Sequence, residues 1–239
     1  MDEDRFQHTM GVMYTSACLA MVHGYDIKDA QVAGLLHDCA KCIPNKKKLK
    51  MCSEHNIPVS DFERSHPFLL HSRLGAYIAH EKYGIDDQEI LSAINYHTTG
   101  RREMSLLEKI IYIADYIEPM RYKASRLPEI RKLAFEDLDE CMYEILKDTL
   151  EYLEEDSADD IEPTSKEAYI YYKELHNKRN NVSDKYSAYT GTILILTSRC
   201  EYFPPVHRRY IISLLKPFVL AGIYVIIIFI IRKEQSMSK

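Results

Sequence analysis

The sequence predicts an all-α protein, a helical bundle followed by a C-terminal extension that carries a single transmembrane helix. From residue 1 to about residue 180, apolar residues recur at helical spacing, and no strand-like alternation interrupts them. Glycines and prolines fall between the periodic segments, where helices are expected to end. Near the C-terminus, residues 210–231 are almost continuously apolar, which is long enough for a helix to cross a bilayer.

The first two predicted helices bring three polar residues into or beside the core. His8 belongs to the first helix. The predicted apolar face of the second helix consists of Val32, Leu35, Leu36 and Cys39. His37 and Asp38 lie beside this face, and Gly34, one turn before Asp38, leaves room for a bulky neighbour. We therefore expect both side chains to reach the interior of the bundle.

Three further helices each carry one polar residue on a face with the i, i+3, i+4, i+7 spacing of a core-facing stripe. They are His71 beside Leu74, Gly75 and Ile78, His97 after Ile90, Ala93 and Ile94, and Asp115 after Leu107, Ile110, Ile111 and Ala114. Ser105 and Glu108 have the spacing of a capping box, which predicts the start of the helix of Asp115. A later amphipathic helix is predicted from Leu138 to Leu153.

Six polar side chains are thus expected inside one helical domain: His8, His37, Asp38, His71, His97 and Asp115. Burying an imidazole or a carboxylate without a partner costs several kcal/mol. A single buried histidine is usually a hydrogen-bonded core residue, and an isolated His-Asp pair often occurs by chance. The combination of six such residues instead favours a metal centre that satisfies them together.

Composition narrows the class of protein. A hydrophobic fraction of 46% over 239 residues is enough for a packed core. The formal net charge of -5 argues against a general affinity for nucleic acid, which requires a basic face. Six cysteines without a secretory signal are typical of a cytosolic protein with reduced thiols. Cys39 and Cys42 form a C-x-x-C pair, but no second pair follows, so core packing is favoured over a zinc site.

A change of composition after Asn181 indicates the C-terminal extension. We predict a linker at residues 181–209, in which residues 190–197 are β-prone, a transmembrane helix at 210–231 and a tail at 232–239. Basic residues flank the apolar run on both sides, and lysine near one end of it can reach the interface. Because no signal precedes the helical domain, we expect that domain in the cytoplasm, anchored to the membrane. A buried core helix is the alternative interpretation of the run.

Five short stretches resemble a known family, the HD-domain metallohydrolases, and within it the bacterial YqeK-type symmetrical dinucleoside tetraphosphatases. They are Arg5-Phe6-Gln7-His8-Thr9, Ala33-Gly34-Leu35-Leu36-His37-Asp38-Cys39-Ala40-Lys41, Leu69-Leu70-His71, Tyr96-His97-Thr98-Thr99-Gly100-Arg101 and Ala114-Asp115-Tyr116-Ile117-Glu118-Pro119. A His-Asp pair alone is typical only of the superfamily, whereas the last two stretches resemble this branch in particular. The resemblance covers Met1 to about Lys178.

The resemblance implies an HD-domain bundle at residues 1–180 that cleaves diadenosine tetraphosphate symmetrically into two ADP through a metal-activated hydroxide. It implies two metal ions, with iron as the first choice and manganese as the alternative. All six histidines and aspartates named above match ligand positions, and Asp38 would bridge the ions. Lys41, one turn after His37, is expected to neutralise a phosphate oxygen. Asp38 and Lys41 are therefore the predicted catalytic residues.

The resemblance also suggests substrate contacts. The predicted substrate-binding residues are Lys41, Thr99, Arg101, Glu118 and Arg121, with Arg102 as a further candidate. Thr99 and Glu118 could instead orient ligands or cap a loop. A basic run, Lys46, Lys47, Lys48 and Lys50, is predicted to be exposed and could guide an anionic substrate to the site.

Two departures from the family pattern are visible. Only seven residues precede His8, so a curtailed leading helix is expected to support the first ligand poorly. The segment after Asn181 has no counterpart and is either a genuine anchor or the product of a frame change or gene fusion. Two other functions stay open: an HD phosphohydrolase of alarmones, deoxynucleotides or cyclic nucleotides, and a membrane-tethered nucleotide sensor with weak turnover. A homodimer is compatible with each of them.

Overall fold

The computed structural model describes residues 2–124, 126–156 and 161–198, and every regular element in these ranges is helical. The helices are α1 (Glu3–His23), α2 (Ile27–Leu36), α3 (Asn45–Glu54), α4 (Asp61–Ser65), α5 (Leu70–Tyr83), α6 (Gln88–Tyr96), α7 (Leu106–Ile117), α8 (Leu127–Ala134), α9 (Leu138–Asp156) and α10 (Pro163–Ser198). A 3-10 turn, Pro67–Leu69, leads directly into α5. The predicted all-α bundle is confirmed.

Helices α1 and α2 pack closely because α2 presents small residues to α1. A Cβ atom added at Gly34 would lie 3.0 Å from the Cα of Met13 and 2.9 Å from the Oγ of Ser16. Gly34 therefore admits the backbone of α1 rather than a bulky side chain. The buried residues of α2 are Ala30, Ala33 and Gly34. Leu35 is 45% exposed, so its assignment to the apolar face is wrong. The buried face of α2 passes through the neighbouring Gly34 instead.

Helix α7 is the central helix of the bundle and contacts α1, α2, α6 and α9. Its start follows the predicted capping box, in which the Ser105 hydroxyl accepts from the Glu108 backbone and the Glu108 carboxylate accepts from the Ser105 backbone. The predicted stripe Leu107, Ile110, Ile111 and Ala114 is fully buried. This packing fixes the direction in which the last turn of α7, with Asp115, faces.

Helix α3 lies over a second, smaller core. This cluster consists of Ala40, Cys52, Leu70 and Leu74, and α3 packs on α5 and on the turn before it. The arrangement holds the segment after α2 against the beginning of α5. As a result, Asp38 and Lys41 lie close to His71 although 30 residues separate the lysine from the histidine.

The chain divides into two units, Met1–Arg179 and Asn180–Lys239. Residues 181–198 continue α10 as helix, including the stretch 190–197 that the sequence indicates to be β-prone. The intrinsic strand preference of single residues is a weak determinant of backbone conformation. Within the described ranges, none of the helices combines the length and apolar character needed to span a membrane. The predicted transmembrane helix at 210–231, the tail at 232–239 and linker residues 199–209 lie outside those ranges.

Candidate metal centre

The six polar residues singled out in the sequence come together in the bundle. His8 lies in the second turn of α1, His71 in the first turn of α5 and Asp115 in the last turn of α7. His37 and Asp38 directly follow α2, and His97 directly follows α6. Three overlapping sets have ligand atoms within 4.8 Å of one another, and these sets are His8, His37 and Asp38, then His37, His97 and Asp115, and finally Asp38, His71 and His97.

Three of the histidine rings are oriented by their own backbone. The Nδ1 of His37, His71 and His97 lies 2.7 Å from the carbonyl oxygen three residues earlier, that of Gly34, Phe68 or Ile94. A carbonyl oxygen only accepts, so each Nδ1 carries the proton and donates it. The lone pair of each ring is then on Nε2, which faces the centre of the cluster. This is the orientation of metal-binding histidines.

Several of the converging atoms are acceptors that face one another. The Nε2 of His71 lies 3.2 Å from the Nε2 of His97 and 3.2 Å from Oδ1 of Asp38. With both rings protonated on Nδ1, these three atoms are all acceptors and repel one another. The Nε2 of His37 and Oδ1 of Asp38 are also buried without a hydrogen-bond partner. Buried polar atoms are rarely left in this state, so the donor set fits a bound divalent metal.

Burial keeps two of the imidazoles neutral. It lowers the pKa of His37 to about 4, assisted by the neighbouring His97, and it also lowers the pKa of His71. A neutral imidazole is the form that coordinates a metal. At neutral pH these rings therefore already have the protonation state required of ligands.

His8 is held by two carboxylates. Its Nδ1 lies 3.1 Å from Oε1 of Glu118, and its Nε2 lies 3.2 Å from Oδ1 of Asp115. Burial alone would lower the pKa of His8, but its bond to Asp115 and the nearby Glu118 raise it. The expectation that His8 is poorly supported is wrong, because α1 is capped by Asp2 and the ring is oriented from the opposite side of the site.

Glu118 contacts His8, in agreement with the alternative prediction that it orients a ligand. It is almost fully buried, and its second oxygen, Oε2, accepts from the backbone N–H of Met120 at 2.6 Å. A Cβ atom at Gly11 would lie 2.5 Å from this oxygen, so only glycine allows the carboxylate to approach α1 so closely. Both oxygens of Glu118 are thus used to orient His8 and the loop after α7.

Asp115 is paired with Arg121. The Nη2 atom of Arg121 lies 2.7 Å from Oδ1 of Asp115, and its Nε donates to the Asp115 carbonyl at 3.0 Å. Burial alone would raise the pKa of Asp115, but His8 and Arg121 hold the pKa of this carboxyl well below its usual range. Arg121 is half exposed. It is therefore the predicted substrate-binding arginine that the structure places directly at the cluster.

Lys41 and Thr98 lie at the opposite side of the cluster. The Nζ of Lys41 is 3.0 Å from Nε2 of His71 and 3.5 Å from Oδ1 of Asp38. The Thr98 hydroxyl is 3.1 Å from Nε2 of His71 and 3.0 Å from that of His97. The sequence singles out Thr99, yet the Thr99 hydroxyl donates to the carbonyl of Gly100. The turn after α6 therefore directs Thr98 to the site and Thr99 away from it.

The predicted contacts of Arg101 and Arg102 are not formed at the cluster. Arg101 pairs with the buried Glu108 at 2.8 Å and lies over the ring of Tyr96. Arg102 lies over the ring of Tyr171. Their positive charges are engaged in supporting the start of α7 and the packing of α10. Charge alone could not distinguish them from Arg121.

Lys48 also contradicts its prediction. It is only 3% exposed, and its Nζ lies 3.5 Å from the Phe68 carbonyl, which also accepts from His71. Lys48 belongs to α3, and its side chain is buried where the sequence predicts a solvated one. Burial and the neighbouring charge of Lys41 lower the pKa of Lys48. Lys48 is therefore a buried neighbour of His71 and cannot guide substrate from solution.

Two contributors were missed in the sequence. One is Thr98, and the only feature of the sequence that could have indicated its role is its position next to His97. Arg131 of α8 donates to the carbonyls of Ile117, Glu118 and Arg121 at 2.9, 3.0 and 2.9 Å, which holds the loop after α7. Nothing in the local pattern of α8 marks this arginine, because its partners are backbone atoms.

Cys39 and Cys42 belong to none of the three ligand sets found among the described residues. The Cys39 thiol donates to the Gly75 carbonyl at 3.5 Å, and burial raises the pKa of this thiol to about 11. The Cys42 sulfur is exposed and accepts from Arg5. This placement agrees with a packing role for Cys39.

A cavity of about 880 Å³ opens from one side of the cluster. His8, His97, Thr98 and Asp115 line it at the cluster, and residues 120–124 and the end of α9 also belong to its lining. Ligand pockets in proteins are typically about 300–1,000 Å³. The cavity is therefore large enough for a nucleotide whose charged end reaches the clustered ligands.

Comparison with known proteins agrees with this geometry. The HD domain family model matches residues 5–120, a stretch that contains all six clustered side chains. The chain is 40% identical over 153 residues to the symmetrical bis(5'-nucleosyl)-tetraphosphatases of Bacillus subtilis and of Halalkalibacterium halodurans, matches that cover 64% of this chain and 81% of each relative. It is 37% identical over 155 residues to the Staphylococcus aureus protein of that name, covering 64% of this chain and 79% of the relative.

A solved structure shares the fold. It is an HD superfamily hydrolase from Clostridium acetobutylicum described as involved in NAD metabolism, with 39% sequence identity and a TM-score of 0.70. The match covers 73% of this chain and 92% of that protein. The likeness thus extends over nearly the whole of the relative, and residues beyond the HD match are included in it.

Proposed function

Because the chain belongs to the HD-domain family of symmetrical bis(5'-nucleosyl)-tetraphosphatases, we propose that it hydrolyses diadenosine tetraphosphate to two molecules of ADP. The observation that carries the proposal is the convergence of four imidazoles and two carboxylates in three overlapping ligand sets beside a cavity. Hydrolysis of a phosphoric anhydride requires concentrated positive charge next to the reacting phosphoryl group.

We assign two metal ions to the cluster. His8, His37, Asp38 and Asp115 would hold one, and Asp38, His71 and His97 would hold the other. The support is that two of the three ligand sets share Asp38. Mixed imidazole and carboxylate donors suit iron, with manganese as the alternative. When bound, the ions supply a water of lowered pKa and neutralise phosphoryl oxygens.

The chain's own residues supply charge on both sides of the metal ligands. Lys41 lies beside His71 and Asp38, whereas Arg121 lies beside Asp115. Thr98 offers a hydroxyl between His71 and His97. A tetraphosphate is cleaved symmetrically when its central anhydride is at the centre and equal halves extend to either side. Cations on opposite sides of the cluster support this alignment.

The decisive experiment uses the full chain purified without oxygen. Bound iron, manganese and zinc are quantified, and nucleotide products from diadenosine tetraphosphate are separated by chromatography. We expect ADP alone as the product. The variants His37→Ala and Asp38→Ala should lose bound metal and activity together, since both remove atoms that converge at the centre.

Several results would contradict the proposal. Formation of AMP with ATP would exclude symmetrical cleavage, and activity retained in both variants would exclude the assigned centre. Preferred turnover of an alarmone, a deoxynucleotide or a cyclic nucleotide would assign the site to another HD activity. Tight nucleotide binding without product would indicate a sensor.

Localisation, membrane anchoring and assembly state are also proposed. We place the catalytic domain in the cytoplasm, with residues 210–231 as its membrane anchor, and a homodimer as its assembly state. Membrane fractionation of the full chain, with a variant ending at residue 209 as the control, tests the anchor. Light scattering of the detergent-solubilised chain tests the dimer.

A further inference from the structure

Two of the side chains that line the cavity are large, exposed aromatics. Tyr122, in the loop after α7, is 80% exposed, and Tyr152, near the end of α9, is 70% exposed. Both line the cavity that begins at His8 and Asp115. A tyrosine buries a large apolar area when it packs, and these two side chains gain little of that stabilisation in the fold. Both rings are therefore available to a ligand in the cavity.

The chemistry around them suits a nucleobase. Tyrosine faces stack on bases, and this contact tolerates any base because every base has a π face. Gln7 and Thr149 line the same cavity and offer an amide and a hydroxyl to the polar edge of a base. The Nζ of Lys123 lies 5.8 Å from the centre of the Tyr122 ring.

The position in the sequence separates these residues from the catalytic motif. The HD domain match ends at residue 120, and all six proposed ligands precede that point. Tyr122 and Tyr152 follow it. Metal chemistry is thus supplied by the shared domain, whereas the aromatic wall is supplied by the loop and helix that come after it. Residues outside a shared catalytic motif are suited to determine which substrate is accepted.

We propose that Tyr122 and Tyr152 form a stacking wall for one base of the substrate, while its phosphates reach Arg121 and the clustered ligands. The inference rests on the proposed function in naming a nucleotide as the occupant. It adds the residues that recognise the base, which neither the metal ligands nor the cations can do. Removing either ring should weaken binding of nucleotides and leave binding of base-free phosphates unchanged.

The test compares two probes on the metal-loaded full chain by isothermal titration calorimetry: ADP and inorganic pyrophosphate. In Tyr122→Ala and in Tyr152→Ala, we expect ADP affinity to fall about tenfold, with pyrophosphate affinity within about twofold of wild type. Tyr122→Phe and Tyr152→Phe keep the ring and should bind ADP as the wild type does. Thermal melting of each variant checks that the fold is retained, as the exposure of both rings predicts.

Unchanged ADP affinity in both alanine variants would overturn the proposal, and so would an equal loss for pyrophosphate. The binding comparison does not depend on turnover. If the wild type fails to cleave diadenosine tetraphosphate but the alanine variants lose ADP selectively, the proposed reaction is wrong and the stacking wall stands. If cleavage occurs and ADP affinity is unchanged in both alanine variants, the proposed reaction stands and the stacking wall is wrong.

Discussion

At the scale of single residues, the centre depends on atoms that lack partners within the protein. Lys41 is a neighbour of these atoms, because its ammonium lies within reach of an imidazole nitrogen and a carboxylate that are also proposed to bind metal. A flexible lysine that is 40% exposed can turn toward a phosphate oxygen without disturbing the core. We therefore separate its contribution from that of the ligands.

The variant Lys41→Met should retain bound metal but lose about 100-fold in kcat, since loss of one electrostatic contact to the transition state has this size. Steady-state kinetics and metal analysis on the same preparation measure both quantities. The matched control is Lys46→Met, because Lys46 is an exposed lysine of α3. Equal activity in the two variants would remove Lys41 from the mechanism.

His37 gives the protein a specific dependence on pH. Its folded pKa of about 4 lies below the ordinary value of 6.5. Between these values, the unfolded chain binds a proton on His37 that the folded protein does not, so stability is lost as pH falls through this window. The loss amounts to about 3 kcal/mol at most.

Urea unfolding of the chelator-treated protein at pH 7 and pH 4.5 measures this dependence. In His37→Asn, the change in free energy of unfolding between the two pH values should be smaller than in the wild type. His80→Asn supplies the control, since it is the same substitution at an exposed histidine outside the cluster. Identical pH dependence in all three proteins would contradict the role assigned to burial of His37.

At the scale of helices, the contact between α1 and the loop after α7 controls the orientation of His8. Gly11→Ala places a methyl group 2.5 Å from Oε2 of Glu118 and forces that carboxylate to move. Disturbing an outer partner of a ligating histidine typically lowers metal affinity about 10–100-fold. Alanine also favours helix over glycine by about 1 kcal/mol, so α1 itself should not be weakened.

A metal titration of Gly11→Ala monitored by calorimetry tests this contact, with circular dichroism to confirm helix content. Glu118→Gln is the companion variant, since it keeps the side-chain volume but removes the negative charge next to His8. Both variants should bind metal more weakly. Wild-type affinity in Gly11→Ala would show that Glu118 does not position His8.

The helices show what could be predicted and what could not. The faces of α6 and α7 were predictable because apolar periodicity over several turns specifies one buried side. The substrate residues were not, because a single arginine or threonine has several possible partners. Arg101 pairs with a buried glutamate, Thr98 and Thr99 are directed oppositely by one turn, and the contact of Lys48 depends on α3 packing over α5. These outcomes require tertiary structure.

At the scale of the whole molecule, metal should stabilise the folded domain. Four imidazoles and two carboxylates converge, and some of their atoms have no partner in the protein. A ligand that binds only the folded state adds about 2.7 kcal/mol at one hundred times its dissociation constant. For a domain of this size, that corresponds to about 5–10 °C in melting temperature.

Chelation should therefore lower the melting temperature by this amount, and added iron or manganese should restore it. Differential scanning fluorimetry before and after dialysis against chelator measures the shift. In Asp38→Ala, which removes the shared carboxylate, the metal-dependent shift should be largely lost. A melting temperature independent of chelator in the wild type would mean that the cluster does not hold metal in the folded protein.

The bonds from three rings to their own turns have a consequence for protein engineering. Gly34 to His37, Phe68 to His71 and Ile94 to His97 are each four-residue segments in which the backbone sets the direction of the coordinating nitrogen. The orientation of each ligating nitrogen is thus set within four residues, whereas the distances between the ligands are set by the packing of the bundle. We expect such segments, when grafted onto the ends of other helices at matching separation, to keep this orientation of the ligating nitrogen.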